Sequence, residues 1–404
     1  MLFTATTPPR LTTLVLLTAV STLSLNLFLP SLPSIAAELE ADYALVNLSL
    51  GGYLAVTAVL MLVMGPLSDR FGRRPVMLAA LAVYTAASLV CALATDIWVF
   101  LAFRLLQGVI IAGWGISLAV IRDTAPEREA ASLIGYVSMA MALGPLLAPM
   151  AGGVLDELFG WRASFWAFAV LGAGLFLLCW LDLGETNRTR SHTLAAQIES
   201  YPALFASRRF WGYALCMAFS IAAFHSFLSG APLVGRTVLE LSPSTLGVTL
   251  GTTTAGFMLG SFLAGRTAKR YPLTSLMIAG RLVACAGLLA GLALFLAGVV
   301  HLAPLIGAAL CLGFGNGLTV PSSSAGALSV RPQLAGSASG LSGALTSGAG
   351  ALFSSITGAV VTETTSANAL LGMMLLCAAM GLVAALAVRR IDRRERSVYA
   401  ADVS

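Results

Sequence analysis

The apolar and polar positions of this chain do not alternate. They fall into long, nearly unbroken apolar runs separated by short polar stretches. A helix needs roughly 20 mostly apolar residues to cross a bilayer. Twelve such runs occur, at about 11–34, 44–66, 75–95, 98–121, 130–155, 161–183, 211–233, 243–265, 273–299, 302–326, 334–361 and 366–388. A membrane barrel would instead show segments of about ten residues with alternating polarity. The pattern therefore predicts an all-α membrane protein of twelve spanning helices, here called helices 1–12 in chain order. The first run, Leu11 to Leu29 behind Arg10, exceeds a signal-peptide core and is read as a helix that stays in the membrane.

The longest polar stretch, Gly184 to Phe210, divides the runs six and six. The expected organisation is an N-terminal six-helix bundle over 1–183, a cytoplasmic linker over 184–210 that includes an interfacial helix, a C-terminal bundle over 211–390 and a cytoplasmic tail over 391–404. The halves echo one another. The short basic loop Asp69–Arg74 follows helix 2 and the loop Arg266–Arg270 follows helix 8. Gln107-Gly108 in helix 4 corresponds to Asn316-Gly317 in helix 10, and helices 5 and 11 are both rich in small residues. Parallel six-helix repeats of this kind imply a substrate path between the halves near the bilayer midplane.

Composition strengthens the membrane reading. Hydrophobic residues make up 58% of the chain and charged ones 10%, against about 25% charged in a soluble domain. The net charge of +5 raises nucleic acid as a partner, but the distribution removes it. Nineteen of the 23 Lys and Arg fall in the termini and in alternate loops, on one side of the membrane. By the positive-inside rule that side is the cytoplasm, so both termini are expected there. The six cysteines lie inside apolar runs without metal-ligand spacing and read as packing residues. No metal and no cofactor are expected, and the lipid bilayer is the expected surrounding.

Several motifs carry more specific chemistry. Gly65–Arg74 reads G-P-L-S-D-R-F-G-R-R. Its glycines, Gly65 and Gly72, allow two helix ends to approach. Asp69 can accept from an arginine or a helix N-terminus, and Arg70, Arg73 and Arg74 hold the loop in the cytoplasm. Helix 4 contains Arg104-Leu-Leu-Gln107-Gly108, with an arginine at a depth where an unpaired charge is costly. A snorkelling arginine is the structural alternative. Helix 5 contains Gly144-Pro145-Leu-Leu-Ala148-Pro149-Met-Ala-Gly152-Gly153. Two prolines four apart bend a helix and the glycines permit close packing.

With these motifs the chain resembles the major facilitator superfamily. The resemblance implies that Asp69 and Arg73 belong to a cytoplasmic gate, pairing across the domain interface in the outward-open state. It implies that the helix 5 motif, associated with antiporters, is a pivot against helix 8 and an outward seal, with Ala148 where glycine is often found. Leu25–Pro33 (L-N-L-F-L-P-S-L-P) and Pro332–Leu341 (P-Q-L-A-G-S-A-S-G-L) resemble the drug/proton antiporter branch, most closely the Bcr/CflA group of bicyclomycin and chloramphenicol-type exporters. That likeness implies a monomeric exporter of small drug-like molecules in a bacterial inner membrane, driven by protons.

One position departs from that group. Asn26 stands where aspartate is typical, and asparagine cannot titrate. All eighteen acidic residues lie in predicted loops or at helix ends. A cavity without a carboxylate, and with Arg104 and Arg281 nearby, favours neutral, zwitterionic or anionic substrates. Proton coupling then needs another group. The ordinary pKa region of histidine suits proton exchange, which nominates His225 in helix 7, although a hydrogen-bonded core histidine is the alternative reading. Asp123 and Asp156 are further candidates. In the family's usual arrangement helices 1, 4, 7 and 10 line the cavity, which nominates Asn26, Arg104, Gln107, His225 and Asn316. Tyr53, Trp114, Phe224 and Phe227 are candidate apolar walls.

A same-fold alternative is a carrier or facilitator for a specific metabolite, not coupled to protons. A membrane-embedded enzyme would need an acid pair, nucleophile or metal cluster at membrane depth. The chain offers none, and no Walker-type phosphate loop marks it as an ATP-driven pump.

Overall fold

The computed structural model describes residues 9–187, 204–268, 270–331, 334–362 and 366–402. Among them run twelve long helical rods. In chain order they are α1 (Leu11–Glu38), α2 (Tyr43–Phe71), α3 (Arg73–Leu93), α4 (Ile97–Thr124), α5 (Glu127–Phe159), α6 (Arg162–Asp182), α7 (Arg208–Thr237), α8 (Pro243–Thr267), α9 (Leu273–Leu296), α10 (Leu302–Ser329), α11 (Ala335–Val360) and α12 (Ser366–Asp402). Ten are long and apolar enough to cross a membrane. The other two, α5 and α11, have 33 and 26 residues, which is also crossing length. The interfacial helix expected in the linker falls largely on 188–203, outside the described residues, as do Pro332 and Gln333 of the second resemblance motif.

Local chemistry sets where the rods start and break. Asp96 caps α4 by accepting from the backbone N–H of Trp98 and Val99 at 2.9 and 3.0 Å, and Ser207 and His301 do the same for α7 and α10. In α1 the α-helical ladder stops at Asn26 and resumes at Leu32 after a 3₁₀ turn over Leu29–Ser31. Pro30 and Pro33 supply no N–H for that ladder. A second 3₁₀ stretch, Gln107–Ile111, interrupts α4 where Gly108 follows Gln107. The last helix, expected over 366–388, continues to Asp402, because nothing after Arg390 is a Pro or Gly that would stop it.

Two compact units divide the chain. One is Met1–Leu194 with Leu241–Gly251, the other Ala195–Glu240 with Thr252–Ser404. The first turns of α8 thus belong with the first unit. Within each unit the same neighbours recur six helices apart. α1 packs on α4, α5 and α6, and α7 on α10, α11 and α12. α3 packs on α4 and α6, and α9 on α10 and α12.

Polarity is inverted relative to a water-soluble protein. Val170, Phe262 and Val383 are about two-thirds exposed, while Ser24, Asn26, Arg104, Gln107, Arg281 and Asn316 are buried. Lipid solvates the apolar outside, so polar groups must find partners inside.

Candidate functional site

The basic loop between α2 and α3 is a single residue, Gly72, held at φ 104° and ψ 151°. Only glycine populates that region readily. It lets α3 start at once, with its first N–H groups aimed at an acid from far along the chain. Glu185 accepts from the backbone N–H of Arg73 at 2.9 Å and of Arg74 at 3.3 Å. A Cβ on Gly72 would overlap that carboxylate. Arg73 is the hub. Its guanidinium pairs with Asp69 at 2.5 Å and Asp123 at 3.3 Å and donates to the Ser68 hydroxyl at 2.5 Å. Asn187 donates from Nδ2 to the Asp69 carbonyl at 2.7 Å, Thr186 donates to Asp123 at 3.3 Å, and Arg74 donates to the Trp180 carbonyl at 2.8 Å. The segment after α6 is thereby strapped across the loop. Every one of these bonds lies within the first unit, whereas the resemblance implied partners across the domain interface. Gly72→Ala is expected to destabilise the protein by about 1–3 kcal/mol, read as a lower thermal midpoint in detergent. Gly65→Ala, where a Cβ meets nothing within 4 Å, should not lower the midpoint.

Each unit also buries a guanidinium. Arg104 has no exposed surface. It donates to the Ser24 carbonyl at 2.7 Å, the Ser24 hydroxyl at 3.4 Å and Gln107 Oε1 at 2.6 Å. Its carbon centre lies 4.2 Å from the ring centroids of both Phe28 and Tyr53, so two aromatic faces sandwich the charge. Gln107 in turn donates to the Ser88 hydroxyl of α3 at 2.8 Å. In the second unit Arg281 of α9, also fully buried, donates to Asn316 Oδ1 at 2.5 Å and to the Thr319 hydroxyl at 3.0 Å. Asn316 donates to the Ser220 carbonyl of α7 at 3.0 Å. The two arrangements correspond. A guanidinium and a carboxamide tie α4 to α1 and α3 in one unit, and α10 to α7 and α9 in the other. No described acid pairs with either arginine. Arg104 and Gln107 are closed off from solvent and cross-link helices in this conformation. Asn316, 2% exposed, is nearly so.

The helix 5 motif lies on two close contacts. A Cβ on Gly144 would overlap the Thr22 side chain, and one on Gly152 the Leu27 carbonyl, both in α1. A Cβ on Gly153 would overlap the Pro243 carbonyl at the start of α8. One on Gly247 would overlap the carbonyl of Pro149. Glu157 accepts from the Ser244 N–H at 3.2 Å, and those bonds hold its carboxyl below the usual carboxylate range. Pro145 and Pro149 lie inside one continuous α5. Each removes a ladder bond, which leaves the Met141 and Pro145 carbonyls without that partner.

The sequence matches the family profile described as Major Facilitator Superfamily over residues 14–355. The chain belongs to the major facilitator superfamily. As a member it is a multi-pass membrane transporter and not an enzyme. Among its relatives, the chain is 30% identical to the uncharacterized MFS-type transporter YdgK of Bacillus subtilis, over 85% of this chain and 86% of that one. It is 30% identical to multidrug resistance protein D of Escherichia coli, over 82% and 84%. MdtL of Escherichia coli, also named a multidrug resistance protein, matches at 30% over 78% and 81%. Solved structures share the fold at lower identity. A bacterial homolog of the lysosomal transporter Spinster, inward-facing, gives a TM-score of 0.77 at 18% identity over 94% of this chain and 96% of that one. A D-xylose–proton symporter gives 0.70 at 19% over 94% and 96%.

Within this superfamily chain, the remaining sequence-nominated residues are placed as follows. Asn26 ends the first helical segment of α1, buried. Its Nδ2 donates to the Thr22 carbonyl at 2.8 Å, and its Oδ1 has no partner among the described residues. His225 is 7% exposed, with Nδ1 3.0 Å from the Ile221 carbonyl. A carbonyl only accepts, so Nδ1 carries the hydrogen and Nε2 is the free base. Asp123 is committed to Arg73, and Asp156, buried at the end of α5, accepts from the Ser34 hydroxyl at 3.0 Å. Tyr53 and Phe227 are buried; Trp114 and Phe224 are half-buried. Sequence reasoning missed Glu185, Asn187, Ser24, Ser88 and Ser220. A carboxylate just after a spanning helix was the one signal that could have flagged Glu185.

Proposed function

We propose that this transporter exports small, drug-like neutral, zwitterionic or anionic molecules by alternating access, in exchange for protons. The observation that carries the substrate class is the buried guanidinium in each unit, Arg104 and Arg281, paired with no acid among the described residues. Fixed positive charge in a low-dielectric interior repels cations and tolerates anions or neutral dipoles. The export reading draws on the relatives named multidrug resistance proteins. In this reading Gly65, Asp69, Arg70, Gly72, Arg73 and Arg74 form a cytoplasmic gate. Gly144, Pro145, Pro149, Gly152 and Gly153 form the pivot, and the working bundles are residues 1–183 and 211–390. Asn26, Arg104, Gln107, His225 and Asn316 shape the binding region, with the arginines acting through the groups they hold. The transporter works as a monomer in a bacterial inner membrane with both termini in the cytoplasm.

His225 carries the proton, because its Nε2 is free to take one while Asp123 and Asp156 are already bonded. The test is uptake into proteoliposomes under an imposed pH gradient, comparing a chloramphenicol-like neutral compound with a lipophilic cation. Gradient-driven transport of the neutral compound by wild type, lost in His225→Gln, is the expected result. Asn26→Asp places a titratable group beside the break in α1 and is expected to admit the cation. A second reading, an uncoupled carrier for a specific metabolite, is favoured by Asn26 itself. Equal transport with and without the gradient would select it.

A further inference from the structure

The second unit holds a cavity that the transport reading does not use. It has a volume of about 370 Å³ and lies at the arginine-rich end of the unit. Its walls come from the start of α7, the α8–α9 connection, the start of α9, the end of α10 and the Arg389–Arg393 turn of α12. Beneath it is an apolar core that includes Phe210, Met277 and Val388.

The charges in it do not balance. Asp392 is the only acid among the described lining residues, and both its oxygens are engaged. Oδ1 pairs with Arg209 at 2.7 Å, and Oδ2 accepts from the Tyr213 hydroxyl at 2.8 Å. Arg389 and Arg393, one turn of α12 apart, also line the cavity. Neither has an acidic partner among the described residues. The facing wall adds to the excess. α9 starts there behind Pro272, with no side-chain cap and no acid in its first turn. Its uncapped N-terminus therefore presents backbone N–H groups and the positive end of the helix dipole. The Thr274 and Ser275 hydroxyls sit in the same wall. Guanidiniums on one side, with N–H and O–H donors on the other, suit a tetrahedral oxyanion. The apolar floor lowers the local dielectric and strengthens the attraction.

We propose that this cavity between α7, α9, α10 and α12 is a binding site for a phosphate group. Two sources carry that chemistry at a membrane surface: the phosphodiester of an anionic phospholipid headgroup, and free phosphate. The test uses the full-length protein in detergent, with phosphatidylglycerol, phosphatidylcholine and inorganic phosphate as probes. Bound lipid is counted by native mass spectrometry, and affinity is read from the shift in thermal midpoint. Two variants separate binding from folding. R389Q/R393Q removes two arginines with no acidic partner among the described residues, and P272D places a good N-cap at α9 while adding a negative charge. Phosphatidylglycerol is expected to bind wild type and to weaken roughly tenfold or more in both variants. Phosphatidylcholine is expected to distinguish none of the three proteins. Inorganic phosphate that protects wild type as well as the lipid does, and fails in both variants, makes soluble phosphate the natural source. Equal binding of every probe to wild type and both variants overturns the proposal.

Discussion

Arg104→Ala is expected to abolish transport and to destabilise the first unit by about 2–4 kcal/mol. The side chain fills a fully buried site between Phe28 and Tyr53, so its loss leaves a cavity. It also orphans the Ser24 carbonyl and Gln107 Oε1, at about 1–3 kcal/mol for each acceptor left dry. Against this, shedding a desolvated cation returns part of the cost of burying it. Arg104→Met separates the two effects. Methionine refills the volume and carries no charge, so most of the stability should return. Transport should not, because nothing then holds α1 to Gln107 at the Asn26 break. Arg104→Lys is also expected to fail, since a single ammonium cannot fork between Ser24 and Gln107. Thermal midpoints in detergent and initial rates in proteoliposomes check both halves. A methionine variant that transports normally would reduce Arg104 to a packing residue.

Gly152→Val should be still more damaging to the fold. A Cβ at that position would lie on the Leu27 carbonyl oxygen. That contact is backbone against backbone, so no rotamer can relieve it. Overpacking of this kind costs about 1–3 kcal/mol where side chains can yield, and more where they cannot. α5 and α1 would have to separate just where α1 breaks after Asn26. The expected result is little or no folded protein by size-exclusion chromatography. Gly174→Ala, in a helix where a Cβ meets nothing within 4 Å, is the matched control. It should be neutral or mildly stabilising. Folded Gly152→Val with normal transport would mean that the α1–α5 contact is not the tight joint described above.

The same two residues mark where sequence reading reaches and where it stops. The motif around Gly152 was legible, because prolines and glycines at fixed spacing in an apolar run have few other uses. Its partner was not: Leu27 contributes a carbonyl, and every residue has one. Arg104 was legible as a charge out of place in an apolar run. Its shorter bond to Ser24 goes to a backbone carbonyl 80 positions away, which leaves no trace in side-chain pattern. That Arg104 and Gln107 are fully buried was not legible either. Depth in the membrane follows from position along a helix, but the face a residue presents follows from packing.

The sequence by itself determined the solvent, the helices and the spacing of the motifs. Lipid cannot satisfy backbone groups, so each crossing must be an apolar helical run, broken as in α1 and α4 only where protein buries the break, and that requirement is written residue by residue. Asp69 and Arg73, four apart on one helix-to-helix turn, are close for the same local reason. Only the tertiary structure decided what closes on that turn, which carbonyls the buried arginines hold, and that α7, α9, α10 and α12 together enclose a basic cavity in the second unit. Those features join residues from separate segments, as Glu185 does in reaching Arg73 across 112 positions. Their geometry is fixed by helix packing, which many different apolar side chains can support without spelling it out in order along the chain.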